Sequence, residues 1–138
     1  GDWDVSNVTD MYAMFASATS FNQDIGDWDV ANATNMADMF KSAESFNGDI
    51  SNWDVSNVTS MVWMFYNATS FNQPIGDWGV SNVVSMFIMF AEATSFNQDI
   101  SNWDVDNVVV CTDFCANTPN WTLPKPNFSI CPNYIGCN

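Results

Sequence analysis

Histidine and arginine are absent from this chain of 138 residues, and only two lysines, Lys41 and Lys125, stand against 16 acidic residues. The formal net charge is −14. Nucleic-acid binding needs a patch of basic side chains that neutralises phosphates, so this class of partner is excluded. Catalytic triads and His-ligated zinc sites need histidine and are excluded as well. We therefore expect no enzyme, no catalytic residues, no cofactor and no metal site.

Long apolar runs are also missing. The longest nearly apolar stretch, residues 83–91, contains Ser85 and is much shorter than the roughly 20 residues that span a bilayer. We expect no membrane insertion. Yet 47% of the residues are hydrophobic and 15% are aromatic, a composition far too apolar for a disordered chain. The chain is therefore expected to fold around a core as a soluble protein.

The dominant feature of the sequence is an internal repeat. Tryptophan recurs every 25 residues, and the other large apolar residues keep the same step. The repeated tryptophans are Trp3, Trp28, Trp53, Trp78 and Trp103. The period predicts a repeat array over residues 1–111, with four full units and a partial fifth, followed by an irregular Cys- and Pro-rich C-terminal cap over residues 112–138.

Each repeat combines two periodicities. Trp53 and Val55 alternate with polar residues, which predicts a short strand. Apolar residues then follow at the spacing of one helix face, which predicts a short helix. They are Met61, Met64, Phe65 and Ala68. Because one coil cannot bury both apolar faces, coils must stack strand on strand and helix on helix. The expected fold class is a right-handed α/β solenoid.

The opening unit resembles a known surface-protein repeat. Residues 1–25 follow the signature W-D-V-S-N-V-T-x-M-x-x-M-F-x-x-A-x-x-F-N-x-x-I of the BspA-like repeat of bacterial surface proteins, and the match extends to about residue 110. The resemblance implies leucine-rich-repeat-like coils in a secreted or cell-surface protein, a family linked to adhesion and protein–protein contact. Gly79 departs from the signature Asp, and Val84 and Val109 depart from the signature Thr.

Asparagine recurs directly after each predicted strand. The positions are Asn7, Asn32, Asn57, Asn82 and Asn107. The first three are also N-glycosylation acceptor sequences, but the last two persist without the required Thr or Ser. We therefore interpret the set as a buried structural ladder, in which each amide satisfies backbone groups of its own and the next coil. The better glycosylation candidates are Asn67, Asn120 and Asn127.

Acidic residues form a second row. Asp4, Asp29, Asp54 and Asp104 alternate with the inward Trp and Val, so we expect them about 4.8 Å apart on the exposed strand face. Carboxylates at such a separation can serve a retaining glycosidase or contribute to a calcium site. Catalytic acids need distinct environments, whereas these recur identically on an open face. A solvated acidic face is the preferred interpretation.

All the cysteines lie after residue 110. They are Cys111, Cys115, Cys131 and Cys137. A zinc site is the alternative, but the spacing fits a zinc ribbon poorly. We expect two disulfides that staple the cap, with three connectivities open, and hence an extracellular or cell-surface location.

Two regions are candidate interfaces. Large apolar residues replace small or polar ones at outward helix positions of the third and fourth coils, and a C-terminal tail folded over them is the alternative. These residues are Val62, Trp63, Tyr66, Phe87 and Ile88. The second region is Trp3, because no polar cap precedes the first strand. The alternative is that the chain is a piece of a longer array, whose further coils would cover this end.

The expected function is structural. The protein is predicted to be a secreted, non-enzymatic building block of an extracellular fibre or surface layer, formed by head-to-tail stacking of copies. The partner is then the chain itself. The alternative is a cell-surface adhesin that binds a foreign protein or a glycan on its exposed acidic strand face.

Overall fold

The computed structural model describes residues 3–131 and Cys137. The 25-residue repeats stack on one another in chain order and are numbered here as units. Unit 1 is residues 1–25, unit 2 is 26–50, unit 3 is 51–75, unit 4 is 76–100 and unit 5 is 101–125. Equivalent positions of successive units form isolated parallel β-bridges. The bridged residues are Asp10, Asn35, Ser60, Ser85 and Val110.

The predicted α/β solenoid is wrong, because the described residues contain no α-helix and no extended strand. In unit 3, where a helix was predicted, the chain forms consecutive turns instead. One of these turns is closed by a hydrogen bond that the Ala68 N–H donates to the Phe65 carbonyl at 3.1 Å. The N–H groups between these turns donate to unit 4 instead, at 2.9–3.0 Å. The donors are Met61, Trp63, Phe65 and Asn67. A helix would use these groups internally.

The predicted strand is also missing. Trp53 and Val55 are 4% and 1% exposed, and Asp54 between them is exposed, so the expected alternation of side chains is present. The backbone, however, turns directly afterwards, and the Asp54 carboxylate accepts the N–H of Ser56 at 3.0 Å. The bridges between units lie later in the repeat, at Ser60 and its equivalents.

Two positions in every unit have left-handed backbone conformation, with φ between 52° and 63°. They are Ala13, Ser17, Asp38, Ser42, Trp63, Asn67, Ile88, Glu92, Asp113 and Asn117. This conformation lets the consecutive turns of one unit direct alternate backbone N–H groups toward the next unit. It strains residues with a Cβ, and most of all β-branched residues.

Ile88 is the most strained of these residues, with φ at 55° on a β-branched side chain. Replacing it with Asn, which tolerates left-handed backbone, is expected to raise the free energy of unfolding by about 1 kcal/mol. Urea denaturation measures the change. The matched control is Val84→Asn, an exposed residue without left-handed φ, where no stabilisation is expected. A lower stability for Ile88→Asn would show that its packing outweighs its backbone strain.

Phenylalanine rings form the centre of the stack. Units 1 to 4 each contribute two rings whose centroids lie 4.0–4.3 Å apart. Equivalent rings of neighbouring units lie 5.4–5.9 Å apart. The pairs are Phe15 and Phe21, Phe40 and Phe46, Phe65 and Phe71, and Phe90 and Phe96. These contacts join units 1 to 4, and Phe114 and Trp121 of unit 5 pack against the rings of unit 4. All units therefore share one continuous core, as the repeat pattern predicted.

Unit 5 keeps the repeat geometry beyond residue 111, where the sequence placed the start of the cap. Asp113 and Asn117 have the left-handed φ of their equivalents. Trp121 occupies the position of Phe96 one repeat later and packs edge-on against that ring at 4.7 Å. The irregular segment therefore begins after unit 5.

Two disulfides fasten this segment over the end of unit 5. They join Cys111 to Cys131 and Cys115 to Cys137. Phe128 packs edge-on against Phe114, with centroids 5.0 Å apart. Phe114 and Cys115 are consequently 1% and 0% exposed, so the C-terminal end of the core is closed.

Candidate functional site

The end of the stack at unit 1 is open. Trp3 is 70% exposed, and Phe15 and Phe21 are half-buried, whereas their equivalents in unit 2, Phe40 and Phe46, are fully buried. A cavity of about 200 Å³ lies on this end. It is lined by Trp3, Phe15, Phe21, Gln23, Ile25 and Trp28. We call this surface the open end face.

The indole of Trp28 at this face lacks a hydrogen bond that the later units make. In those units the Trp Nε1–H donates to an Ile carbonyl 28 residues earlier, at 3.0–3.1 Å. The pairs are Trp53 with Ile25, Trp78 with Ile50 and Trp103 with Ile75. Trp28 Nε1 is buried and has no partner among the described residues. A buried donor without an acceptor costs about 1–3 kcal/mol.

The opposite end carries a second group of exposed apolar side chains. Val109 and Ile130 are 54% and 52% exposed, and Val110 and Leu123 are each 40% exposed. Val110 and Ile130 each precede a cysteine of the Cys111–Cys131 disulfide, which holds them at the same end of the stack. The sequence analysis did not identify this group of exposed apolar residues. The one signal of it in the sequence was that Val109 replaces the Thr of the repeat signature.

Exposed large apolar residues are thus concentrated toward the two ends of the stack. Trp3 and Tyr12 belong to unit 1, and the others belong to units 4 and 5 and the tail. The others are Val84, Val109, Val110, Leu123 and Ile130. Between residues 13 and 83, no large apolar side chain is exposed by as much as 40%.

The predicted interface residues of the third and fourth repeats lie together but are all half-buried. They are Val62, Trp63, Tyr66, Phe87 and Ile88. The Trp63 ring lies 5.4 Å from Tyr66 and 6.5 Å from Phe87, measured between centroids. The Lys41 ammonium lies 3.6 Å from the Trp63 centroid. Lys41 therefore covers part of the aromatic surface that sequence analysis treated as open.

The asparagine row joins units, but differently from the expected buried ladder. In units 2 to 5 the side-chain amide donates to a backbone carbonyl 26 residues earlier, at 2.6–2.7 Å. The donors are Asn32, Asn57, Asn82 and Asn107. These side chains are exposed, as is Asn7 in unit 1, and each amide bonds to the preceding unit rather than the next. The row is therefore an exposed set of links between units.

The three glycosylation candidates differ in how their amides are used. Asn120 Nδ2 donates to the Thr94 carbonyl at 2.7 Å, and Asn67 Nδ2 donates to the Ser42 hydroxyl at 3.4 Å. Asn127 is exposed, and within the described residues its amide has no hydrogen-bond partner. Asn127 is thus the most accessible of the three, and its modification stays a prediction.

The four aspartates of the acidic row are exposed, as expected. Each carboxylate accepts a hydrogen bond from the backbone N–H two residues later, within its own turn. The Ser6 hydroxyl and the Ser6 N–H donate to the Asp4 carboxylate at 2.6 and 3.0 Å and hold the pKa of Asp4 below its ordinary value. Ser56 lowers the pKa of Asp54 in the same way. Acid–base catalysis needs pKa values pushed apart, whereas these two shift in the same direction.

The described part of the chain contains no cluster of three or more His, Cys, Asp or Glu side chains arranged to hold a metal ion. No helix within it is long and apolar enough to cross a membrane.

The chain matches the model of a protein family. The model of a family described as "Mycoplasma protein of unknown function, DUF285" matches residues 1–103 and, in a second overlapping match, residues 48–128. No curated protein and no solved structure is significantly similar to the chain. The overlap of the two matches agrees with a repeated sequence.

Proposed function

Because the chain belongs to the DUF285 family, whose function is unknown, we propose a role from its geometry: an extracellular structural protein whose copies associate end to end into fibres or a surface layer. The observation that carries this proposal is the concentration of exposed apolar side chains toward the two ends of the stack. Contiguous exposed apolar surface is typical of interaction sites.

Two further features support an extracellular location. Both cysteine pairs form disulfides, which persist in oxidising compartments and are rare in the cytosol. The repeat signature also resembles that of BspA-like surface proteins, in which a solenoid is displayed outside the cell.

The proposal is tested by measuring the size of the native chain as its concentration rises. Sedimentation velocity and electron microscopy at about 0.15 M salt, where charges beyond about 8 Å are screened, are expected to reveal filaments or sheets. Lower salt is expected to weaken assembly, because each chain carries a net charge of −14.

A chain that stays monomeric at every concentration and salt would overturn this function. It would favour the second candidate, an adhesin that binds a foreign protein or glycan on its acidic face. The observation behind that candidate is the exposed row of Asp4, Asp29, Asp54 and Asp104.

A further inference from the structure

A second row of asparagines links the units, and here the side chains accept hydrogen bonds instead of donating them. In three successive contacts the asparagine Oδ1 of one unit accepts the backbone N–H of the equivalent asparagine in the following unit, at 2.8–2.9 Å. The row consists of Asn22, Asn47, Asn72 and Asn97. We call it the acceptor row.

Asn47 is the member of the acceptor row that is followed by glycine. The others are followed by Gln23, Gln73 and Gln98, and Asn47-Gly48 is the only Asn-Gly pair in the sequence. The backbone nitrogen of a glycine can approach the preceding asparagine side chain closely, because no Cβ obstructs it. The Gly48 N–H donates to no described residue, and Asn47 is exposed to water. The nitrogen of Gly48 is therefore available as a nucleophile.

The side-chain carbonyl of Asn47 accepts two N–H groups from unit 3. The Asn72 backbone nitrogen lies 2.9 Å from Asn47 Oδ1, and Gln73 Nε2 lies 3.0 Å from it. Two donors at such distances stabilise the negative charge that develops on a carbonyl oxygen under nucleophilic attack. Asn47 Nδ2 donates to no described residue, so no hydrogen bond within the described chain retains this nitrogen as a leaving group.

We propose that Asn47 is a site of spontaneous deamidation, promoted by the two donors of unit 3. The Gly48 nitrogen loses its proton to solvent and forms a bond to Asn47 Cγ, while the carbonyl electron pair moves onto Oδ1. The Cγ–Nδ2 bond then breaks, and the nitrogen takes up a proton from water and leaves as ammonia. Water opens the cyclic imide and leaves aspartate or isoaspartate at residue 47. Water is the only co-reactant, and the proposal is independent of the proposed function.

The two products are expected to affect the acceptor row differently. Aspartate keeps the oxygen that accepts both donors of unit 3, and a charged acceptor strengthens such bonds. Isoaspartate routes the main chain through the former side chain and lengthens it. The Asn47 N–H donates to Asn22 in unit 1 at 2.9 Å, and the Asn47 backbone carbonyl accepts Gln73 Nε2 in unit 3 at 2.9 Å. A longer main chain shifts these two groups relative to each other, so isoaspartate should weaken the contact.

The native chain provides a matched control for the reaction. Asn72 Oδ1 accepts the same pair of donors, the Asn97 N–H at 2.8 Å and Gln98 Nε2 at 2.9 Å, but Gln73 follows it. Incubation in mildly alkaline buffer, followed by peptide mapping with mass spectrometry, measures deamidation at both asparagines. We expect Asn47 to become a mixture of aspartate and isoaspartate while Asn72 stays intact. No conversion of Asn47, or equal conversion of the two, would overturn the proposal.

The role of the donors is tested by Gln73→Leu, which removes the side-chain amide from Asn47 Oδ1 and keeps the backbone donor. Deamidation of Asn47 is expected to slow by about two- to tenfold, the value of one hydrogen bond. A faster reaction would show that the hydrogen bond protects the side chain, and would overturn the promotion by unit 3. The control is Gln98→Leu, which removes the equivalent amide from Asn72 and should leave the rate at Asn47 unchanged.

The role of the glycine is tested by Gly48→Gln, which restores the residue found at this position in the other units. We expect Asn47 to become as resistant as Asn72. A Cβ at residue 48 would lie 2.9 Å from Phe46 Cε2, so circular dichroism checks that the variant folds. If it does not fold, the comparison of Asn47 with Asn72 in the native chain decides the proposal without a substitution. Undiminished deamidation of Asn47 in a folded Gly48→Gln chain would contradict attack by an unobstructed glycine nitrogen.

Discussion

Replacing Phe65 with alanine is expected to lower the free energy of unfolding by about 3–5 kcal/mol. Its ring is fully buried in unit 3 and stacks against Phe71 at 4.1 Å, Phe90 at 5.4 Å and Phe40 at 5.6 Å between centroids. The cavity left behind would lie at the centre of the stack, where neighbouring units on both sides are held by backbone bonds and cannot collapse into it. Urea denaturation followed by tryptophan fluorescence measures the loss.

The matched control is Phe15→Ala, the same substitution at the same position of unit 1. Phe15 is half-buried and contacts a neighbouring unit on one side only, so the expected loss is clearly smaller. Equal losses at the two positions would mean that the open end face is as well packed as the centre. That result would remove the basis for treating the face as a docking surface.

Removing both disulfides is expected to destabilise the C-terminal end by about 2–4 kcal/mol for each bond. The bonds close segments with sequence separations of 20 and 22 residues and hold the tail over unit 5. Units of a stack are stabilised by their neighbours, and an end unit has only one, so unit 5 should open before unit 3. Hydrogen exchange after reduction is expected to accelerate first at amides around Phe114, and only later around Phe65.

The single-bond variants provide the control. Cys111→Ala with Cys131→Ala removes one bond, and Cys115→Ala with Cys137→Ala removes the other. Each pair is expected to lose part of the stability that full reduction removes. Uniform acceleration of exchange across all units would contradict the local effect and would indicate that the tail supports the whole stack.

The sequence alone was sufficient to predict the repeat, the stacking of units and the identity of the core. A strict 25-residue period in Trp, Met, Phe and Ile identifies the side chains that share an interior, because only buried positions demand the same apolar residue in every unit. The exposed position of Asp54 between Trp53 and Val55 followed from the same reasoning. Four cysteines in the final part of the chain likewise predicted two disulfides there.

The backbone conformation that buries these repeated side chains was decided only by the tertiary structure. Met61, Met64, Phe65 and Ala68 are buried at helical spacing, but consecutive turns with left-handed residues bury the same side chains. The choice between the two backbones depends on hydrogen bonds to a unit one repeat away, which local periodicity does not report. The pairing of the disulfides, the direction of the asparagine links and the cover of Lys41 over Trp63 were decided in the same way. Each depends on which residues of distant units meet, a property of the stacked chain and not of any single repeat.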